Sequence, residues 1–270
     1  MTALEKLKLK NEQNKFICLG LDTDIYKIPD HLKNFSNPIL EFNKSIIEAT
    51  TDYAAAYKIN FAFYEKDGEK GFDNILKTIE LIPNDVLIIA DAKRGDIGNT
   101  SQMYADAIYD YFKCDSLTLH PYMGRDSVIP FLARNDKLNF ILALTSNPGS
   151  ADFEKLELED GTFLFQKVIS KVKEWNVNEN CGIVFGATRS SDLTNNMELI
   201  SNLPVLLPGI GAQGGSLEDV VNAFKSKSRK NYIINSSRGI IYKDNSKDFA
   251  SAAVNELITL NERVNEILNK

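Results

Sequence analysis

The feature that most constrains the fold of this chain is an alternation repeated along its length. Short apolar runs rich in β-branched and aromatic residues alternate with segments that carry apolar residues at helical spacing. This alternation is typical of parallel strands joined by crossover helices. Eight runs are predicted to be strands, over residues 16–21, 53–59, 86–90, 116–119, 140–144, 182–185, 204–207 and 232–234.

The segments between the runs have the spacing of amphipathic helices. One apolar stripe begins at Phe72, a second begins at Phe165, and a longer one over residues 249–268 predicts the last helix. Asn37, which precedes a proline, and Ser216, which precedes two acidic residues after one leucine, are typical of helix starts.

Eight strands alternating with helices in a chain of 270 residues favour an α/β fold of the (β/α)8 TIM barrel type over an open doubly wound sheet. No low-complexity tract or Pro/Gly/Ser linker divides the sequence, so we expect a single domain over residues 1–270. In such a barrel the functional side chains lie at the carboxyl ends of the strands.

Composition excludes several classes of function. The chain has 31 Lys+Arg against 37 Asp+Glu and a net charge of −6, which argues against nucleic acid as a partner. No apolar stretch approaches the roughly 18 residues of a membrane span, and the start lacks a secretory pattern, so we expect a cytoplasmic protein without a membrane partner. Cys18, Cys114 and Cys181 lie apart in apolar runs and are expected to be buried free thiols.

Charged side chains stand at the ends of the first three predicted strands. Asp22 follows the first strand, Lys58 and Asn60 end the second, and Asp91 and Lys93 follow the third. Residues two apart on an extended strand point to the same side, so Asp91 and Lys93 are expected to meet Lys58 from the neighbouring strand. A structural ion-pair network is the alternative for any single pair.

The last two strands predict a phosphate site. A glycine-rich loop over residues 209–215 follows the seventh strand and Arg238 follows the eighth, which is where barrel enzymes hold phosphate groups. An ordinary flexible loop is the alternative. His120 ends the fourth strand, where a catalytic role and a bond to a neighbouring loop are both open. Neither histidine lies at metal-ligand spacing from Cys or Glu, so no metal site is predicted.

The run Asp91-Ala-Lys93-Arg-Gly-Asp96-Ile97-Gly-Asn-Thr100 resembles the Asp-x-Lys-x-x-Asp motif of the orotidine 5′-phosphate decarboxylase family, in particular its longer bacterial and protozoan-like subgroup. A superfamily with a magnesium-dependent decarboxylase and hexulose-phosphate synthases shares that motif. The combination is more specific, because further matches occur in the family's order over about residues 16–242. They are Gly-Leu-Asp22, Lys58, Thr-Ser146-Asn-Pro, Pro208-Gly-Ile-Gly-Ala-Gln213-Gly-Gly and Ser237-Arg238.

The resemblance implies cofactor-free decarboxylation of orotidine 5′-phosphate to UMP, the last step of de novo pyrimidine nucleotide synthesis. Lys58, Asp91, Lys93 and Asp96 would be the catalytic residues, with Lys93 stabilising and protonating the C6 carbanion. The resemblance also implies a homodimer in which Asp96, Ile97 and Thr100 reach into the partner subunit's site.

The same resemblance implies the substrate contacts. Asp22 and Asn60 would contact the ribose side, Ser146 the pyrimidine, and Gln213 and Arg238 the phosphate, with Pro208 and Ser237 completing the substrate site. Many members have glycine directly before the phosphate arginine, where this chain has Ser237. Residues 213–216 are the predicted lid.

Two other functions remain open at the level of sequence. One is a Mg²⁺-dependent sugar-phosphate lyase or aldolase on the same barrel, which activity in a chelator and failure of borohydride trapping would exclude. The other is a catalytically silent barrel that senses pyrimidine phosphates. The intact set of Lys58, Asp91, Lys93 and Asp96 disfavours a sensor, which needs no proton donor.

Overall fold

The computed structural model describes residues 1–210 and 215–270. Within them, eight parallel strands close into a barrel in chain order, so the predicted (β/α)8 barrel is confirmed. The strands are β1 (Ile17–Gly20), β2 (Ala56–Asn60), β3 (Leu87–Arg94), β4 (Ser116–Leu119), β5 (Leu138–Leu144), β6 (Cys181–Phe185), β7 (Val205–Pro208) and β8 (Tyr232–Ser236).

Most strand ends lie within two residues of the prediction, and the two that differ by more do so for physical reasons. β3 continues to Arg94, past the predicted end at residue 90, because its polar residues still pair with β2 and β4 as the strand enters the barrel mouth. β2 begins at Ala56 and not at residue 53. The amide of Tyr53 donates to the carbonyl of Thr50, so Tyr53 belongs to the turn that ends the preceding helix.

Helices lie between the strands and at both ends of the chain. They are α1 (Ala3–Glu12), α2 (Pro38–Thr50), α3 (Ala62–Glu65), α4 (Glu69–Glu80), α5 (Gly98–Ala105), α6 (Arg125–Leu132), α7 (Leu164–Trp175), α8 (Ser190–Asn195), α9 (Met197–Ile200), α10 (Leu217–Lys225), α11 (Arg238–Ile241) and α12 (Phe249–Asn269). Short 3-10 turns occupy Asp30–Asn34 and Pro148–Asp152, and a π-helical segment over Asp106–Tyr111 continues α5.

Both predicted helix starts are confirmed, and so are the apolar stripes of two of the three predicted helices. The side chains of Asn37 and Ser216 accept hydrogen bonds from the third residues of α2 and α10, as expected of helix starts. Most residues of the predicted stripes on α7 and α12 are buried. Phe72 on α4 is instead 39% exposed, and the buried face of that helix is centred on Ile75 and Ile79.

The inside of the barrel is a separate apolar cluster that α1 closes at the amino end. Ala3 and Leu7 of α1 belong to the same buried cluster as inward residues of β1, β2, β3, β5, β6, β7 and β8. Two buried lysines of α1 anchor it, Lys6 to Asp115 at 2.8 Å and Lys10 to Asp85 at 2.7 Å. The amino end of the barrel is therefore covered by the start of the chain.

The three cysteines are buried free thiols, as predicted. Burial raises the pKa of Cys18 to about 12, so this thiol stays protonated at neutral pH. Within residues 1–210 and 215–270, every helix is too short or too polar to cross a bilayer.

Candidate active site

A cavity of about 320 Å³ opens at the carboxyl end of the barrel, where the sequence predicts the site. Side chains from the ends of all eight strands or the residues after them line it. The lining consists of Asp22, Lys58, Asn60, Asp91, Lys93, Thr118, Leu142, Thr145, Ser146, Asn147, Val184, Leu206, Pro208, Gly209, Ile210, Asn235, Ser236, Ser237, Arg238 and Gly239.

Strand alternation explains why these residues point into the cavity. On β3, Leu87 and Ile89 lie in the apolar cluster inside the barrel, and Asp91 follows two residues later on the same side of the strand. On β2, Ala56 lies in that cluster and Lys58 follows it in the same way. The floor of the cavity is therefore apolar, and charge begins where each strand leaves the core.

The structure brings three of the predicted charged residues into direct contact. The carboxylate of Asp91 accepts a hydrogen bond from Lys58 Nζ at 2.7 Å on one oxygen and from Lys93 Nζ at 2.7 Å on the other. Lys58 Nζ also lies 3.9 Å from a carboxylate oxygen of Asp22. Lys58 is 4% exposed, whereas the side chain of Lys93 is 47% exposed. Lys93 is thus the ammonium group that faces the open cavity.

The environment stabilises the charged forms of Asp91 and Lys58. Burial alone would raise the pKa of Asp91, but the charges of Lys58 and Lys93 outweigh it and hold that pKa well below the usual range. Burial alone would lower the pKa of Lys58, but the carboxylates of Asp91 and Asp22 outweigh it and raise that pKa. Each buried charge is therefore maintained by its opposite neighbour.

Lys93 has an unusual backbone conformation that sequence reasoning did not anticipate. Its φ is +46°, in the left-handed region, which lysine rarely adopts. The pairing of β3 with β4 shifts register between Ala90 and Arg94. The amide of Lys93 donates to the hydroxyl of Thr118 at 3.1 Å. Thr118 could not be singled out from the sequence, because one threonine inside a β-rich run is ordinary strand composition.

The ends of β7 and β8 form the opposite wall. Pro208, Ser237 and Arg238, all predicted for the substrate site, line the cavity there. The hydroxyl of Ser237 donates to the carbonyl of Gly20 at 2.9 Å. A Cβ at position 20 would lie 2.7 Å from the Cβ of Ser237, so only glycine fits at the end of β1. Ser237 therefore joins β8 to β1 at the rim.

Sequence reasoning also missed Asn235 and Ser236 of this wall, and Glu154 beside the β5 exit. Glu154 accepts hydrogen bonds from the amide of Thr145 at 2.7 Å and from its hydroxyl at 2.9 Å. Ser146, which lines the cavity, follows directly. Because Glu154 is distant from any strand end in sequence, position gave no signal for it.

Other predicted residues lie outside this cavity. Among the described residues, Asp96, Ile97 and Thr100 do not line it and stand instead before or at the start of α5, where Ile97 is 56% exposed. Gln213 and Gly214, the first half of the predicted lid at 213–216, lie outside the described residues. His120 is outside the lining too, and burial followed by the charge of Lys93 lowers its pKa.

The sequence over residues 15–253 matches the orotidine 5′-phosphate decarboxylase / HUMPS family. The chain belongs to that family. The resemblance inferred from the charged motif and the strand-end residues is therefore confirmed.

Individual members of the orotidine 5′-phosphate decarboxylase / HUMPS family support the same assignment. The chain is 50% identical over 252 residues to the orotidine 5′-phosphate decarboxylase of Bacteroides fragilis, covering 92% of this chain and 90% of that protein. The OMP decarboxylase structure from Leishmania donovani superimposes with a TM-score of 0.86 at 33% identity and covers 100% of both chains. The UMP synthase of the same organism gives a TM-score of 0.89 at 34% identity, covering 99% of this chain and 57% of that longer one.

Proposed function

We propose that this protein catalyses the cofactor-free decarboxylation of orotidine 5′-phosphate to UMP, the last step of de novo pyrimidine nucleotide synthesis. The observation that carries the proposal is the chain of Lys58, Asp91 and Lys93 at the cavity, with Lys93 as its exposed member. Membership of the family supports the substrate.

The chemical difficulty of the reaction explains the need for such an array. Breaking the bond between C6 and the carboxylate carbon releases CO₂ and leaves the electron pair on C6. An ammonium group at C6 stabilises this pair and then transfers a proton to it, which gives UMP and a neutral amine. Lys93 is the residue assigned to both roles. Water returns the proton to Lys93 after product release.

The attraction between the Lys93 ammonium group and the C6 carbanion is large enough to change the reaction rate substantially. Two opposite unit charges about 4 Å apart attract by roughly 4 kcal/mol at an effective dielectric constant near 20. If this attraction arises only in the transition state, it accelerates the step by roughly 10³-fold. Lys58 and Asp91 contribute by fixing where the Lys93 ammonium stands, because the position of the charge determines how much of this energy is realised.

The cavity walls accommodate the rest of the nucleotide in this proposal. Asp22 and Asn60 contact the ribose side, and Ser146 contacts the pyrimidine from the β5 exit. Arg238 binds the phosphate at the wall that Pro208 and Ser237 help to form, and Gln213 is assigned to the same phosphate from sequence alone. Binding energy from the phosphate, remote from C6, can then stabilise a closed and water-poor site.

We further propose a homodimer that shares its two sites. Asp96, Ile97 and Thr100 do not line their own chain's cavity, and the exposed Ile97 gives that segment an apolar contact surface. In the dimer these residues complete the partner subunit's site, and Asp96 adds a fourth charge to its array. We place the protein in the cytoplasm, where its three free thiols stay reduced.

The decisive experiment follows the absorbance change as orotidine 5′-phosphate is converted to UMP in the presence of a chelator. Turnover at full rate with chelator is the expected result. A protein that binds the nucleotide without turnover would be a sensor, and activity lost to the chelator and restored by Mg²⁺ would indicate the metal-dependent alternative. Either outcome overturns the proposal. Shared sites also predict that activity per subunit falls when the protein is diluted below the dimer dissociation constant.

A further inference from the structure

The hydroxyl of Thr118 makes contacts that the proposed reaction has not used. Thr118 lies on β4, is 1% exposed and lines the cavity. We propose that Thr118 is a positioning residue, whose hydroxyl fixes both the backbone of Lys93 and the carboxylate of Asp91 so that the Lys93 ammonium stays where C6 is bound. This inference rests on the proposed decarboxylation and deepens it.

The hydrogen bonds form a closed ring around Lys93. The Thr118 hydroxyl donates its hydrogen to Asp91 Oδ1 at 3.0 Å, and its oxygen accepts from the Lys93 amide at 3.1 Å. The same Asp91 Oδ1 accepts from Lys93 Nζ at 2.7 Å. Thr118 is therefore linked to both ends of the lysine, to the backbone directly and to the ammonium through one carboxylate oxygen.

The local backbone explains why such a link is needed. Ala90 pairs with Leu117 and Arg94 pairs with Leu119, so residues 91–93 of β3 face Thr118 alone. The regular ladder cannot bond the extra residues, and the left-handed φ of +46° at Lys93 is disfavoured for any residue with a Cβ. The Thr118 hydroxyl accepts a hydrogen bond from the amide of Lys93, which is not part of the regular ladder. Without it, the bulge is free to relax and to move the ammonium.

The test compares three variants. Thr118→Val removes the hydroxyl and keeps the shape of the side chain, whereas Thr118→Ser keeps the hydroxyl. Thr50→Val is the matched control. Thr50 is another fully buried threonine, on α2, and its hydroxyl forms hydrogen bonds with Ile46 and Tyr57 outside the cavity.

We expect kcat of Thr118→Val to fall about 100-fold, the loss typical of a displacement near 1 Å. Thr118→Ser recovers most of it, and Thr50→Val keeps the wild-type kcat.

Two further readouts separate positioning from general stability. Exchange of the C6 hydrogen of UMP for deuterium, followed by NMR in D₂O, reports proton transfer at C6 directly and should fall in parallel with kcat. The affinity for UMP should stay near the wild-type value. A purely structural role would lower the thermal midpoint and leave kcat per folded molecule and the exchange rate unchanged.

The inference is overturned if Thr118→Val retains wild-type kcat, or if Thr118→Ser is as slow as Thr118→Val. Should Thr118→Val fail to fold, Thr118→Ala against Thr118→Ser gives the same comparison. Failure of the wild-type protein to decarboxylate orotidine 5′-phosphate would refute the proposed function itself, and this result is distinct from an active wild type with an equally active variant.

Discussion

Lysine–aspartate pairs occupy both ends of the barrel, and their settings differ. At the amino end, Lys6 of α1 contacts both oxygens of Asp115 at 2.8 Å, and that carboxylate also accepts from the amide of Ile88. At the carboxyl end, Lys58 and Lys93 divide the two oxygens of Asp91 between them. One end fastens a helix to the barrel, and the other presents an ammonium group to a cavity.

A buried lysine–aspartate pair is not by itself a sign of a catalytic site. The side chains of Lys6 and Asp115 are 10% and 14% exposed, and each is satisfied by the other. Lys93 differs in two respects, since its side chain is 47% exposed and its backbone adopts a disfavoured conformation. Strain of this kind persists where surrounding contacts enforce it, and it is frequent at functional sites.

The largest expected difference between the two ends concerns catalysis. Lys93→Ala removes the proposed proton donor, so we expect kcat to fall by about 10⁴-fold, the upper range for a general acid. Binding of UMP should be largely preserved, because most of the cavity wall is unchanged. Steady-state kinetics and calorimetric titration with UMP measure the two effects. Wild-type turnover in this variant would remove Lys93 from the mechanism.

The corresponding change at the amino end should affect stability and not catalysis. Lys6→Met leaves the carboxylate of Asp115 buried without its cation, so we expect a loss of about 3 kcal/mol in the free energy of unfolding. The kcat of the folded variant should match the wild type. Urea denaturation and kinetics on the same preparation check both points, and a large fall in kcat would mean that the two ends are coupled.

A smaller effect is expected at Arg238, the proposed phosphate ligand. Arg238→Ala should weaken binding of phosphorylated ligands by about 10- to 100-fold, the usual worth of one charge-assisted contact. Uridine, which lacks the phosphate, provides the control, because its affinity should not change. Equal loss of affinity for UMP and uridine, or no loss for either, would place the phosphate elsewhere.

The smallest effect concerns the second pair of α1 and its pH dependence. The hydrogen bond from Lys10 lowers the pKa of Asp85, so the pair stabilises the fold above the unfolded pKa near 3.9 and this contribution is lost as the pH falls further. Asp85 has 54% of its side chain exposed, which limits the effect to at most about 1 kcal/mol. Asp85→Asn should therefore destabilise the protein slightly at pH 7 and by less at pH 3 in paired urea titrations. An equal deficit at both values would exclude the ion pair as its cause.

Sequence periodicity predicted the barrel well because most strands lie wholly in the apolar core. The fourth strand was placed at its observed bounds, since Asp115 and His120 mark both of its ends. The third strand extends beyond its predicted end because its last residues contact charged groups in the cavity and not the core. Apolar patterning has no signal for a strand that continues into a polar site.

The residues that carry charge were predictable, but their supports were not. Lys58, Asp91 and Lys93 stand at strand ends in the sequence, and the structure brings them together. Thr118 and Glu154 act through hydrogen bonds to backbone amides, and nothing in their sequence neighbourhood shows which amide a hydroxyl or carboxylate reaches. The left-handed backbone of Lys93 depends on the register of a neighbouring strand, which is a tertiary property.

The closure of the barrel affects how the chain can be made. β1 must pair with β8, and Ile17 lies beside Ile234, more than 200 residues later in synthesis. At 5 to 20 residues per second, a ribosome needs roughly 10 to 45 s to make the intervening chain. Throughout that time β1 has one unpaired edge, which is a hazard for aggregation. Chaperone dependence of the nascent polypeptide should therefore persist until its last strand has emerged from the exit tunnel.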